Sequence, residues 1–143
     1  MFLSGAEEIK AGDAFASGSR FLDELSSRAR ESERLRMHYD LRDTPEDGSM
    51  RMLNALEPGT EIPIHRHNNT SEDVVCLRGC VEEILYDPQG AELSRVRLSP
   101  ESGVVHCHIP MGVFHTCRSL QSGSVIIEFK NGRYNPRTTE DIL

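Results

Sequence analysis

Residues 59–79 read Gly59-Thr-Glu-Ile-Pro-Ile-His65-Arg-His67-Asn-Asn-Thr-Ser-Glu72-Asp-Val-Val-Cys-Leu-Arg-Gly79, and this stretch decides the fold. Residues 62–67 read as a strand, in which side chains two apart leave on one face, so His65 and His67 point the same way. A polar run over 68–71 follows, and a turn there brings the Glu72 carboxylate back towards the two imidazoles. Far downstream, His115 follows the tight turn Pro110-Met-Gly112, which swings a third imidazole inward. Three neutral imidazoles and a carboxylate make a donor set suited to Fe(II), Mn, Ni, Cu or Zn. Four protein ligands on an ion of octahedral habit leave two positions for water or substrate, as a catalytic site needs. A His-x-His pair alone is a common surface feature. The frame around this one carries the argument.

Working outward, short candidate strands cover 50–56, 62–67, 73–78, 81–87, 92–98, 104–109, 113–118 and 124–130. Pro58-Gly59, Gly79, Pro88-Gln-Gly90, Gly103, Pro110-Met-Gly112, Ser122-Gly123 and Asn131-Gly132 punctuate them. Regular short strands with Gly and Pro turns indicate a sandwich or barrel. Ahead of them, residues 17–36 carry Phe21, Leu22, Leu25, Ala29 and Leu35 near a helical period, with Ser17 or Ser19 as the cap. The polar segment 43–49 separates the two regions. The expected organisation is an N-terminal arm with one helix over 1–45, packed on the barrel, and an all-β barrel with a C-terminal tail over 46–143.

The full spacing now matters: Gly59, five residues, His65-Arg-His67, four residues, Glu72, six residues, Gly79, and later Pro110-x-Gly112-x-x-His115. This pattern resembles the cupin superfamily, whose first motif it matches at every fixed position. The second motif departs slightly: Gly103 lies one residue further from the proline than usual, and Ser119 stands where asparagine often does. The resemblance implies a double-stranded β-helix, or jelly roll, with His65, His67, Glu72 and His115 holding one divalent transition ion (Fe, Zn, Mn or Ni) in the barrel mouth. It covers roughly residues 50–130. Three further pieces are similar to the small WbuC-type cupin-fold metalloproteins found among surface-polysaccharide genes. They are Arg34-Leu-Arg36-Met-His38, Arg51-Met-Leu-Asn-Ala-Leu-Glu-Pro-Gly59, and the ending Glu128-x-Lys130-x-Gly132-x-Tyr134-x-Pro136.

Composition bounds the function classes. The 143 residues include 16 basic and 23 acidic side chains, for a net charge of −7. That acidity argues against a nucleic-acid partner, which selects a basic face. No apolar run approaches the roughly 20 residues of a membrane span. The opening MFLSGAEEIKAGD lacks a basic and then apolar leader, so a cytoplasmic location is expected. Cys76, Cys80, Cys107 and Cys117 are too sparse for a disulfide framework and read as small, mostly buried thiols.

The expected activity is that of a metal-dependent cupin acting on or binding a sugar, sugar nucleotide or other small polar or anionic metabolite. Isomerase, epimerase or oxygenase chemistry fits an enzyme, with Glu128, Lys130 and Tyr134 as candidates to move protons and His38 beside them. The alternative is a non-catalytic, metal-centred binding or sensory module. Arg36 and Arg51 are the expected substrate-binding residues, because a guanidinium forks onto carboxylate or phosphate. Arg34 and Lys130 sit in neighbouring segments, whereas Arg66 alternates with the histidines and should point away. His106 and His108 straddle Cys107 and are expected to face outward. A small-molecule ligand in the barrel and a homodimer complete the expected partners.

Overall fold

The computed structural model describes residues 14–143; the opening stretch read for a leader lies outside them. Among the described residues there are one α-helix, eight strands and a short 3-10 helix over Thr139–Asp141. The α-helix and strands are α1 (Ser19–Glu31), β1 (Arg36–Asp40), β2 (Ser49–Leu56), β3 (Glu72–Arg78), β4 (Val81–Tyr86), β5 (Glu92–Leu98), β6 (His106–Ile109), β7 (Phe114–Ser119) and β8 (Ser124–Asn131). A five-stranded sheet, ordered β1-β2-β8-β3-β6, faces a three-stranded sheet, ordered β5-β4-β7, and every pairing is antiparallel. This is the expected jelly roll. No helix among the described residues is long and apolar enough to cross a membrane.

Side chains alternate along each strand, so the inward rows can be followed from one end of the barrel to the other. On β8 the row runs Ile126, Glu128, Lys130. On β3 it runs Cys76, Val74, Glu72, in register with β8 through Cys76↔Ile126, Val74↔Glu128 and Glu72↔Lys130. On β2, Leu56, Asn54 and Met52 follow the same course. One end is therefore filled by Leu56, Val74, Cys76, Val81, Leu98, Ile109 and Ile126, all buried. The other end turns polar and stays open, and that change along the rows builds the cavity.

The helix covers the outer face of the larger sheet. Phe21, Leu25 and Ala29, at helical spacing, bury against Leu53, Ala55 and Val125. Its bounds differ from the expected 17–36. Gly18, not a serine, takes the N-cap, with no side-chain bond. The chain leaves the helix at Ser32, whose N–H caps the carbonyls of Arg28 and Ala29, and Leu35 adopts φ 56°. Leu35 is therefore not part of the helical face. The turn it makes releases residues 36–40 as β1, a strand that the sequence reading placed in the arm. Met37 and Tyr39 alternate towards the helix while Arg36 and His38 line the cavity. The five-stranded sheet thus begins ahead of the boundary expected near residue 45.

A second difference concerns residues 62–67, expected as a strand. Only His65 makes bridges there, to His115 on one side and Ile142 on the other. Pro63 has no N–H to offer a ladder, and its carbonyl is taken by the His65 ring.

A candidate metal centre in the barrel mouth

Backbone pairing sets the three histidines. The N–H of His65 donates to the His115 carbonyl at 3.0 Å, and the His115 N–H returns the bond at 2.8 Å. The Gly112 N–H, in the Pro110–Gly112 turn, donates to the His67 carbonyl at 2.8 Å. Gly112 has φ +83°, which that turn requires and a side chain resists. Behind this segment the tail closes: Arg66 bonds Asp141 through both backbone and side chain and lies over the Phe114 ring, pointing away from the cavity as expected. The loop before β3 is tied down by buried Thr70, whose hydroxyl accepts the Asn131 N–H at 2.9 Å. Glu72 thereby enters the barrel at a fixed point.

The four side chains converge, their ligand atoms all within 4.8 Å of one another. Ring centroids are 5.0 Å apart for His65 and His67, 4.4 Å for His65 and His115, and 5.5 Å for His67 and His115. The Nδ1 atoms of His65 and His115 face the carbonyls of Pro63 and Val113 at 2.7 and 3.0 Å. An Nδ1–H donated there leaves each Nε2 lone pair aimed inward, the arrangement that orients imidazole ligands. Glu72 Oε1 lies 3.1 Å from His67 Nε2 and 3.3 Å from His115 Nε2. Yet all three atoms are buried without a hydrogen bond of proper geometry. Buried, orphaned donor atoms facing a common point are costly unless something fills it, and a cation does. The residues fit a divalent ion.

Electrostatics agree. Burial, with the neighbouring His115, depresses the His65 pKa to about 3, so this imidazole stays neutral and ready to ligate. For Glu72 burial acts upward, but the imidazoles of His115 and His67 and the Lys130 charge outweigh it and hold the carboxyl well below its usual range. His65 and Glu72 are thus held in the protonation states that ligate a metal.

Above the cluster lies a cavity of about 370 Å³. Glu128, Lys130, Tyr134, Arg36 and His38 all line it. Lys130 Nζ is 3.9 Å from Glu128 Oε2. Burial and the Glu72 charge raise the Glu128 pKa to about 7. Tyr134 is an exposed rim residue. Arg51 is not in the lining: it donates to Asp47 Oδ2 at 2.7 Å and to the Leu41 carbonyl at 3.1 Å. His106 and His108 do face outward, both bonded to Asp73 Oδ1, at 2.7 and 3.0 Å. The four cysteines are free and three are buried.

The sequence reading missed several lining residues. Glu83 is buried in the wall, its pKa raised well above normal by burial and by Glu72 and Glu128. Its place between Val81 and Leu85 on one strand face was the available signal. Arg133 and Arg137 reach the mouth from the tail, where no periodicity marks them.

Jelly-roll barrel, inward histidine triad and buried glutamate define a cupin fold whose histidine–glutamate cluster suits a metal ion. Over residues 18–98, more than half its length, the sequence matches the family described as Domain of unknown function (DUF6016), and the chain belongs to that family. No curated protein matches the sequence. Among solved structures it is similar to KdgF from Halomonas sp., at 20% identity over 69% of this chain and 82% of that one, TM-score 0.55. It is also similar to the capsular polysaccharide assembling protein CapF from Staphylococcus aureus, at 20% identity over 78% of this chain and 32% of that one, TM-score 0.63. A third is oxalate oxidase in complex with the substrate analogue glycolate, at 16% identity over 89% of this chain and 64% of that one, TM-score 0.61. The chain spans about a third of the length of CapF. At these identities the likeness is one of fold.

Proposed function

We propose that this chain is a metal-dependent cupin enzyme performing isomerase- or epimerase-type proton transfer on a small polar, sugar-derived metabolite. The carrying observation is Glu128: a carboxyl with a pKa near 7, in the wall of a cavity floored by His65, His67, Glu72 and His115. A general acid–base works best with its pKa near the operating pH. A divalent ion (Fe, Zn, Mn or Ni) held by those four residues would supply Lewis acidity towards a carbonyl or hydroxyl oxygen. Glu128 takes a proton from the carbon beside that oxygen and returns it. The Lys130 ammonium, 3.9 Å away, steadies the carboxylate when it forms. Glu83, whose carboxyl is pushed towards its neutral form by burial and by the Glu72 and Glu128 charges, faces the same cavity as a hydrogen-bonding group for a ligand oxygen. Tyr134 covers the rim. The fold shared with CapF, whose name refers to capsular polysaccharide assembly, supports a sugar-derived ligand.

The test is to incubate the metal-loaded protein in deuterated water with a panel of aldoses, ketoses, sugar acids and their phosphates. Deuterium entering beside the carbonyl, read by NMR, is the expected result. It should disappear in Glu128→Gln with metal content unchanged. Binding without exchange across the panel would favour a non-catalytic module, and oxygen uptake with Fe(II) would favour an oxygenase.

A further inference from the structure

The mouth of the cavity is charged opposite to the molecule as a whole. The chain carries a net charge of −7, yet Arg34, Arg36, Arg133 and Arg137 all line this opening. Among the described residues none of the four has a carboxylate within ion-pairing distance, although arginines elsewhere in the chain pair with Asp23, Asp40, Asp47, Glu57, Glu82, Glu92 and Asp141.

Arg36 is fixed by neutral oxygens. Its Nη1 donates to the Glu61 carbonyl at 2.8 Å and to Thr60 Oγ1 at 3.3 Å. The Thr60 hydroxyl, which is buried, donates in turn to the Arg34 carbonyl at 2.7 Å, tying both arginines to one point. Burial and the like charges of Arg34 and Arg137 push the Arg36 pKa down, and the Arg137 charge reaches His65 as well. Like charges have therefore been gathered between the rim and the histidines. Holding guanidinium groups together without a counter-charge is unfavourable, and an anion reverses the sign.

We propose that Arg34, Arg36 and Arg137 form a phosphate subsite at the cavity mouth, for a phosphorylated small molecule whose hydroxyl- or carbonyl-bearing end reaches the histidine cluster. The proposal rests on the preceding reading of the cavity as the reaction site. A carboxylate brings one charge and is satisfied by one guanidinium fork. A phosphate ester brings nearly two charges and three strong acceptor oxygens, which matches a cluster of three. Deeper in, Asn54 and the buried carboxyl of Glu83 suit hydroxyl groups. A volume of about 370 Å³ is at the lower end for ligand pockets and suits a monosaccharide phosphate.

The test is calorimetric titration of metal-loaded protein with inorganic phosphate, glucose 6-phosphate, uridine diphosphate and glucuronate. Wild type should bind glucose 6-phosphate more tightly than glucuronate. Arg137→Gln and Arg36→Gln should each weaken phosphate binding about tenfold or more, with metal content unchanged. Arg137 is exposed, so its variant carries the test should Arg36→Gln fail to fold. Tighter binding of uridine diphosphate than of glucose 6-phosphate would keep the subsite and assign its phosphate to a nucleotide. Glucuronate bound as tightly as the phosphates, no phosphate binding, or variants binding like wild type would overturn the proposal. Repeating the titration on His65→Ala/His67→Ala separates the two readings. In that variant, metal lost with phosphate still bound upholds both readings; wild type that binds phosphate but takes no metal would sink the metal reading alone, and wild type that binds metal but no phosphate would sink the subsite alone.

Discussion

Glu72 on β3 and Glu128 on the adjacent β8 both lie beside Lys130 and His115, and the groups nearest each one fix their different behaviour. Glu72 has two imidazole nitrogens beside it and ionises early; Glu128 has burial and a negative neighbour, and ionises near pH 7. The sign of the consequence follows by linkage. Between its ordinary value of 4.5 and its folded value of about 7, Glu128 binds more protons folded than unfolded, so it costs stability as pH rises through that window. Glutamine cannot ionise. In metal-free protein, Glu128→Gln should therefore match wild type in its pH trend below 4.5 and gain on it up to about pH 7, by on the order of 1–3 kcal/mol. Urea unfolding across pH measures this, and a difference independent of pH would refute it. The identity of the four ligand residues was legible because their spacing is fixed along the chain. The mouth arginines were not, because Arg34, Arg36 and Arg137 meet only after the tail has folded back over the barrel.

At the scale of elements, alternation and Gly/Pro punctuation marked most strands nearly to the residue, since turns bound them and apolar positions recur along most of them. Reading failed where other physics took over. β1 is rich in charge because its inward face lines a cavity and not a core, so Arg36 and His38 hide its strand character. Residues 62–67 look like a strand, yet Pro63 and the ring–carbonyl contact of His65 leave a single bridging residue. The turns offer a sharp check. A Cβ at Gly79, where φ is +81°, would lie 2.6 Å from the Ser124 Cα and 2.4 Å from its Oγ. At Gly112, with φ +83°, a Cβ would meet nothing within 4 Å. Gly112→Ala should cost only the left-handed backbone term, about 1–2 kcal/mol. Gly79→Ala must also displace the start of β8, and should cost about 3–5 kcal/mol. Equal losses in chemical denaturation would contradict the close approach of β3 and β8 at this turn.

For the whole molecule, the barrel is graded: apolar side chains close one end, acidic and imidazole groups floor the open end, and guanidinium groups ring its rim. The helix reinforces the far side of the five-stranded sheet and leaves the mouth free. The proposed reaction depends on the floor holding an ion. The direct measurement is metal stoichiometry after loading chelator-treated protein with Fe(II), Mn, Ni or Zn and removing the excess, in wild type and in His67→Ala/His115→Ala, with folding followed by circular dichroism. The account predicts one ion per chain in wild type and none retained by the folded double variant. Wild type that retains no ion of the four, or a variant that retains as much as wild type, would contradict it.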